Sequence, residues 1–244
     1  MTKLDDQIAR YRKELERRPP GDTRRKKVLF NLADSWKSRF LETGDIGDLE
    51  EAIGLHRTGL TLHPEGHPDR HRSLYVLAWC LQKRYRKEGT LPDLEEAITL
   101  GRAALDFRPE GHPDRPNALR NLATCFSERY KKLASIADLE EAITLGRAVL
   151  ELCPPGHSNR ALTLNNLGCY LSHRFTKLGA TADLDEVFSL HRLALELRPE
   201  GHPDRSYSLC NLATCFISRY DKQASVADLE EAIMLCRAAL ELCP

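Results

Sequence analysis

The sequence predicts an all-α protein, a solenoid of repeated helix pairs with about eleven helices. The first observation is a fixed interval of 45 residues between the copies of one aspartate: Asp48, Asp93, Asp138, Asp183 and Asp228. The second is that each interval holds two stretches of apolar residues at helical spacing, one long and one short. A period of this length is typical of arrays whose units stack because one unit cannot bury its apolar face alone.

Composition excludes several classes of partner. The 244 residues carry 36 basic and 36 acidic side chains, so no overall positive field attracts nucleic acid or an anionic membrane. The apolar runs are interrupted by charges well short of the roughly 20 residues that cross a bilayer. We therefore expect a cytoplasmic protein that could also enter the nucleus, with neither nucleic acid nor membrane as a partner.

The period divides the chain into one elongated domain, residues 1–244. Its predicted parts are a capping helix at 1–21, helix-pair repeats at 22–66, 67–111, 112–156 and 157–201, and a last repeat at 202–244. The first segment has the phase of the short helices but is polar, with Lys3, Gln7 and Glu14 at their recurrent positions. Repeat arrays need such a polar end for solubility.

The long segments begin at one repeated word. GHPDR occurs at 66–70, 111–115 and 201–205, and GHSNR at 156–160. Proline just inside a helix and an acid in its first turn suit a helix start, which is what we predict here. Each long helix is predicted to end near Gly44, Gly89, Ala134, Gly179 or Ala224, because glycine tolerates the left-handed conformation that ends many helices.

The short segments carry the most repeated letters, DLEEAI. An aspartate followed three residues later by glutamate, as in Asp138 and Glu141, predicts a capping box in which the two side chains satisfy the first backbone N–H groups. Leu139, Ala142 and Ile143 then start a wide apolar face. Pro154 prevents the helix from continuing.

The core letters resemble the tetratricopeptide repeat. The pattern is large, large, small, aromatic on the long helix, then small, small-large and a closing proline on the short helix: Leu119, Leu122, Ala123, Phe126, Ala142, Val149, Leu150 and Pro154. Relative to the ordinary repeat, seven residues lengthen the first helix by about two turns, and an arginine–aromatic pair marks this extension. Long-period arrays with these words look like fungal tetratricopeptide proteins that are often joined to CHAT or NACHT/NB-ARC domains.

The resemblance implies a right-handed superhelix whose concave wall is made by the long helices, and a protein or peptide as ligand. Positions on this wall that differ between repeats, together with one asparagine-rich row, give the predicted groove: Lys27, Phe30, Asn31, Arg72, Tyr75, Trp79, Arg120, Asn121, Asn166 and Asn211. Aromatic and arginine side chains are frequent anchors of binding. The asparagines either bind a peptide backbone or bond the neighbouring repeat, and Trp79 either binds ligand or packs between helices.

Cysteine and histidine follow the repeat phase. Cys80, Cys125 and Cys215 share one position, as expected of thiols that pack in the core. His67, His112, His157 and His202 occur once per repeat, which separates them too far for one metal. Only the histidines at 63, 67 and 71 are close enough in sequence for a zinc site to be considered. The basic run at 17–27 is compatible with an import signal or with a patch that binds acidic groups.

We expect no catalytic residue, no metal and no cofactor, because no nucleophile with its base is recognisable. The leading hypothesis is a non-catalytic scaffold that binds a peptide or partner protein in its groove. The alternative is the regulatory arm of a larger CHAT-protease-like or NLR-type protein. A further idea is self-stacking through the last helix, because Leu229 to Leu242 repeats the apolar face of the inner helices.

Overall fold

The computed structural model describes residues 2–22, 24–62 and 70–242, and these residues form eleven helices and no strand. The helices are α1 Lys3–Glu16, α2 Arg25–Thr43, α3 Ile46–Leu62, α4 Arg70–Glu88, α5 Leu91–Asp106, α6 Arg115–Leu133, α7 Ile136–Glu151, α8 Arg160–Leu178, α9 Thr181–Glu196, α10 Arg205–Gln223 and α11 Val226–Glu241. Long and short helices alternate, and α1 and α11 are both of the short kind. The predicted all-α class of tetratricopeptide-like helix pairs is confirmed.

The chain divides into two compact units, Met1–Cys125 and Phe126–Pro244, with the division inside α6. In the first unit each helix from α1 to α5 packs against the next one in the chain. In the second unit the same holds from α7 to α11, and the long helices α8 and α10 also touch each other. Sequential packing of this kind is the contact pattern of a repeat array.

The cores of the two units are built from the same residue types at equivalent positions of the repeat. Leucine, alanine and isoleucine of the short helices are almost completely buried, for example Leu49, Ala52 and Ile53 in α3. Cys80, Cys125 and Cys215 are buried as well, which confirms their predicted packing role. The wide apolar faces of α3 and α9 therefore sit between two long helices, whereas α1 and α11 each pack against one.

The predicted ends of the long helices are confirmed. The residue after each has a positive φ: Gly44 at 71°, Gly89 at 74°, Ala134 at 55°, Gly179 at 69° and Ala224 at 52°. Its N–H donates to the carbonyl four residues back, as Gly44 does to Phe40 at 2.8 Å. This left-handed residue turns the chain directly into the next short helix.

The predicted capping box of the short helices is wrong. Helix α7 begins at Ile136, two residues before Asp138, and its N-cap is Ser135, whose hydroxyl accepts from the N–H of Asp138. Asp138 instead lies in the first turn, 5% exposed, and accepts two hydrogen bonds from Arg129, at 2.8 Å to Nε and 2.6 Å to Nη2. The acid pattern alone could not show this, because the arginine lies nine residues earlier.

The same arginine–aspartate pair recurs in each repeat. Its members are Arg39–Asp48, Arg84–Asp93, Arg129–Asp138, Arg174–Asp183 and Arg219–Asp228. Arg39 also donates to Asp5 of α1 at 3.1 Å, and Arg174 donates to Glu140 of α7 at 2.9 Å. In these two repeats the guanidinium therefore joins its own repeat to the short helix of the preceding one. The hydrogen bonds that Arg39 donates to Asp48 raise the pKa of Arg39.

The long helices begin within the GHPDR sequence, as predicted, but its proline and aspartate do not lie inside the helix. The long helices begin at its arginine, so proline and aspartate lie in the preceding turn. There Nδ1 of His112 accepts from the N–H of Asp114 at 3.1 Å, as His157 and His202 accept from the residue two places on. The arginine then donates back to a carbonyl at the end of the previous short helix, Arg160 to Cys153 at 2.5 Å. The histidine and arginine of the GHPDR sequence thus stabilise the loop between the short and the long helix by hydrogen bonds. The first copy of this sequence lies mostly outside the described residues.

Candidate functional site

The predicted groove residues of the first unit lie on one face each of α2, α4 and α6. Lys27 and Arg72 are exposed, whereas Phe30, Tyr75 and Trp79 are half-buried. Arginine at position 72, tyrosine at 75 and tryptophan at 79 follow helical spacing, which places all three on the same side of α4. Asn31, Arg120 and Asn121 are also half-buried.

Several of these side chains contact one another. The guanidinium of Arg72 lies over the ring of Phe30, 4.5 Å from its centroid, and the far side of Phe30 meets His56 edge-on at 5.6 Å. The guanidinium of Arg108 lies over Tyr75 at 4.4 Å. Stacked cations of this kind are attracted by the electron-rich ring face. We call Phe30, Arg72, Tyr75, Arg108 and Arg120 the aromatic–arginine cluster.

Electrostatics join Arg120 to the same cluster. Burial raises the pKa of the Tyr75 phenol, and the positive charges of Arg120, Arg108 and Lys37 oppose that rise. Arg120 donates to Oδ1 of Asn117 at 2.5 Å within α6. The cluster thus combines two aromatic rings with three guanidinium groups, an arrangement rich in the residue types that dominate binding energy at interfaces.

Trp79 is placed next to the cluster but is partly committed to packing. Its ring meets Phe40 of α2 edge-on at 6.2 Å, and the ammonium of Lys83 lies 5.3 Å from its centroid. The ring remains half-buried rather than enclosed. Both roles considered for this tryptophan are therefore compatible with its position.

The row of variable positions is not free of packing in the second unit. Asn165, which occupies the position of Tyr75 two repeats on, is fully buried. Its Oδ1 accepts from Nδ1 of His191 at 2.9 Å, and its Nδ2 donates to Ser208 at 2.9 Å. At Asn165 this variable position therefore packs in the core instead of facing the predicted groove. The predicted groove residues Asn166 and Asn211 are both half-buried, in α8 and α10 of this unit.

Arg108 is the residue of the cluster that sequence reasoning missed. It follows the end of α5, outside the long helices that define the groove, so a search of the wall positions passes over it. Its signal is the phase it shares with Arg18 and Arg198, each 90 residues away. Such a buried arginine at the end of a short helix becomes noticeable only when the repeats are compared column by column.

The described residues hold no group of three or more histidine, cysteine, aspartate or glutamate side chains that could bind a metal ion. The proposed zinc site at 63, 67 and 71 lies largely outside them, although the ring of His71 is placed 5.8 Å from that of His112. Within the same residues, no helix is both long and apolar enough to cross a membrane.

Together the fold and its recurring residues define an array of helix pairs similar to that of tetratricopeptide-repeat proteins. Residues 160–204 match the family model described as tetratricopeptide repeat, over one full period of 45 residues. No curated protein gives a significant match. The predicted resemblance to this family is confirmed by that repeat and by the fold.

Solved structures support the same fold. The crystal structure of BtubC (BKLC) from P. vanneervenii is 22% identical, with a TM-score of 0.65 over 99% of this chain and 93% of that one. A putative kinesin light chain from Podosopora anserina with nearly identical TPR-like repeats is 18% identical, with a TM-score of 0.59 over 86% and 94%. YrrB, described as a TPR protein with an unusual peptide-binding site, is 16% identical, with a TM-score of 0.57 over 95% and 97%.

Proposed function

We propose that this protein is a non-catalytic scaffold that binds a peptide or partner protein at the aromatic–arginine cluster. The observation that carries the proposal is the half-buried ring of Tyr75 with cationic side chains around it. Amphipathic rings and guanidinium groups supply large contact area at low conformational cost. The peptide-binding site named for the YrrB structure shows that a related fold serves this role.

The remaining predicted residues extend the proposal around the cluster. Lys27, Asn31 and Asn121 lie on the long helices of the same unit, where their polar groups would hydrogen-bond a peptide backbone. Asn166 and Asn211 are proposed as equivalent contacts in the second unit. Burial raises the pKa of the Tyr207 phenol, and the side chain of Asn211 opposes that rise through a hydrogen bond, so a peptide carbonyl would compete with that phenol for the amide.

Affinity capture with matched variants tests the scaffold function. The whole chain and its Tyr75→Ala and Trp79→Ala variants are used as bait, with Tyr220→Ala as the control because Tyr220 is a half-buried tyrosine of the second unit. We expect a partner that is retained by the wild type and by Tyr220→Ala but lost with Tyr75→Ala. Circular dichroism must show that the variants remain helical. Equal recovery with all four baits contradicts the proposed site, and intrinsic turnover by the purified chain contradicts the scaffold role.

A second candidate is self-association through α11, as predicted from its apolar face. Leu229 is 36% exposed and Ile233 is 44% exposed, whereas the equivalent Leu139 and Ile143 of α7 are 0% and 3% exposed. Two such faces can pack on each other across a two-fold axis in a closed dimer. Sedimentation velocity should then show a dimer that Ile233→Lys dissociates. A monomer at high concentration contradicts this candidate.

The alternative of a regulatory arm in a larger fungal CHAT or NLR-type protein remains a prediction. Its test is the full-length transcript, which should encode a catalytic or nucleotide-binding domain in the same reading frame. A transcript that encodes the repeats alone contradicts it.

A further inference from the structure

Three arginines share one phase of the repeat and differ in how they are neutralised. Arg18 donates to Glu14 at 2.8 Å and to Asp22 at 3.2 Å. Arg198 is 2% exposed and donates to the hydroxyl of Ser208 at 2.8 Å, with the carboxylate of Asp204 at 3.4 Å. In both places the protein supplies hydrogen-bond acceptors to the guanidinium.

Arg108 lacks the corresponding partners. It is also 2% exposed, and its Nε has no hydrogen-bond partner, as is true of the Nε of Arg198. The difference lies at Nη1, which is bonded in Arg198 and has no partner in Arg108. The position of Ser208 is taken by Ala118, which removes the hydroxyl acceptor. Asp114 corresponds to Asp204 and favours the charge of Arg108, yet burial outweighs it and lowers the pKa of that guanidinium. A buried cation without acceptors is costly, so its presence here calls for an explanation.

Arg120 is a second arginine whose guanidinium is incompletely hydrogen-bonded. Arg120 donates to Asn117 through Nη2, while its Nη1 is buried without a hydrogen-bond partner. The charges of both arginines act on the phenol of Tyr75, and Arg72 adds a third cation one turn earlier on α4. Positive charge therefore accumulates around Tyr75 in a chain whose net charge is zero.

We propose that Tyr75 and Arg120 bind a carboxylate of an acidic segment in a partner peptide, with the charge of Arg108 beneath it. This proposal rests on the scaffold function and names the chemistry of its ligand. A planar carboxylate matches both the fork of a guanidinium and a phenol O–H, and it brings negative charge to two guanidinium groups that the protein leaves incompletely bonded. In a half-buried site its attraction to the two cations is stronger than in water.

Neighbouring groups favour a peptide as the source of the carboxylate. The rings of Phe30 on α2 and of Trp79, one turn after Tyr75 on α4, are half-buried, so they offer apolar surface to the side chains that flank an acidic residue. A free inorganic anion would use the cations but not these rings. The proposal therefore predicts tighter binding of a glutamate peptide than of inorganic phosphate.

An NMR titration of the whole chain tests this assignment through the side-chain Nε–Hε signals of Arg108 and Arg120. The probes are a capped tripeptide of glutamate, the matching tripeptide of glutamine, and inorganic phosphate. We expect saturable shifts of both signals with the glutamate peptide and none with the glutamine peptide. Unshifted signals with the glutamate peptide, or tighter binding of phosphate, overturn the proposal.

Three variants separate a binding role from a structural one. Arg120→Gln and Arg108→Met should each weaken the glutamate peptide by at least about tenfold, whereas Arg86→Gln, which removes an exposed charge of α4 in the same unit, should not. Arg108→Met should keep or raise the melting temperature without ligand, because it removes a buried charge that lacks acceptors. If Arg108→Met lowers the melting temperature and leaves the peptide affinity unchanged, Arg108 has a structural role only, and its assignment to the binding site is overturned. If the glutamate peptide does not bind but Tyr75→Ala still loses the partner found by affinity capture, the proposed acidic ligand is wrong and the scaffold function stands.

Discussion

At the scale of the residue, the repeated arginine of the long-helix extension binds each long helix to the short helix that follows it. Each one binds an aspartate in the first turn of the following short helix, and the pair is short because both partners are charged and forked. The aspartates are nearly buried, with side-chain exposures of 1 to 7%. Removing the arginine would leave such a carboxylate without its counter-charge, which is much costlier than losing an exposed pair.

Arg84→Met should therefore lower the free energy of unfolding by about 3 kcal/mol. The reason is that Asp93, which receives bonds of 2.7 Å from Nε and Nη2 of Arg84, stays buried and charged. Urea unfolding followed by circular dichroism measures the change. Arg57→Met is the control, because Arg57 and Glu96 form an exposed pair at 2.6 Å and such pairs contribute about 0–1 kcal/mol. Equal costs for the two substitutions would show that burial of the aspartate does not matter.

At the scale of the element, stability depends on how the long helices end and on how long and short helices pack together. Ala134 and Ala224 adopt the left-handed conformation at φ 55° and 52°, whereas the other three helix ends use glycine. A side chain with a Cβ is strained there, by about 1 kcal/mol. The chain therefore carries correctable strain at two of its five long-helix ends.

Ala224→Gly should raise the free energy of unfolding by about 0.5–1 kcal/mol, since the left-handed conformation costs glycine nothing. The reverse change, Gly179→Ala, should lower it by a similar amount, because Gly179 has φ 69° and no neighbour within 4 Å of an added Cβ. Differential scanning calorimetry of both variants gives the two signs. Destabilisation by Ala224→Gly would mean that the alanine side chain packs more than it strains.

The fit of α8 against α9 depends on Gly168. A Cβ at that position would lie 2.6 Å from Cε1 and Nε2 of His191, closer than side chains approach. Because the ring is buried and bonded to Asn165, it cannot move aside cheaply. In the preceding period the corresponding residues are Ala123 and Gly146, whereas the first period combines Ala33 with His56, whose ring meets Phe30 instead of bonding an asparagine. The clash at Gly168 therefore depends on the ring position that the bond between His191 and Asn165 holds.

Gly168→Ala should thus destabilise the protein by about 1–3 kcal/mol. The double variant Gly168→Ala with His191→Gly should recover part of that loss, because it recreates the alanine–glycine combination of the preceding period. Recovery remains partial since Asn165 loses its bond to His191. Chemical unfolding of the single and double variants completes a double-mutant cycle. Purely additive effects would contradict a direct clash.

At the scale of the whole molecule, one buried histidine in each unit couples stability to pH. Burial lowers the pKa of His56 and of His191 to about 4, from an ordinary value of 6.5. The unfolded chain then binds more protons than the folded chain between these values. Stability is complete above about pH 6.5 and declines as the pH falls toward 4.

The free energy of unfolding should accordingly fall between pH 6.5 and 4, with each histidine contributing up to about 3 kcal/mol. Urea unfolding at half-unit steps of pH measures the slope. His56→Leu should make the decline shallower, because leucine has no group that takes up a proton on unfolding. An unchanged slope would assign the acid sensitivity to other groups.

The sequence by itself determined the fold class. The 45-residue interval, the apolar spacing and the glycine or alanine at each long-helix end are local or periodic features, and eleven helices of alternating length follow from them. It also named Phe30, Tyr75 and Arg72, which the structure brings to one face. Periodicity is informative here because every repeat solves the same packing problem with the same letters.

Only the tertiary structure decided which of these residues contact one another. The aspartate of DLEEAI pairs with an arginine nine residues earlier instead of capping its helix. The histidine and arginine of GHPDR fasten a loop, and Arg108 lies over Tyr75 from another helix end. These contacts depend on the directions in which side chains leave neighbouring helices, and spacing along the chain does not encode them. Burial then decides their energies, because a charge enclosed without acceptors behaves differently from the same charge in water.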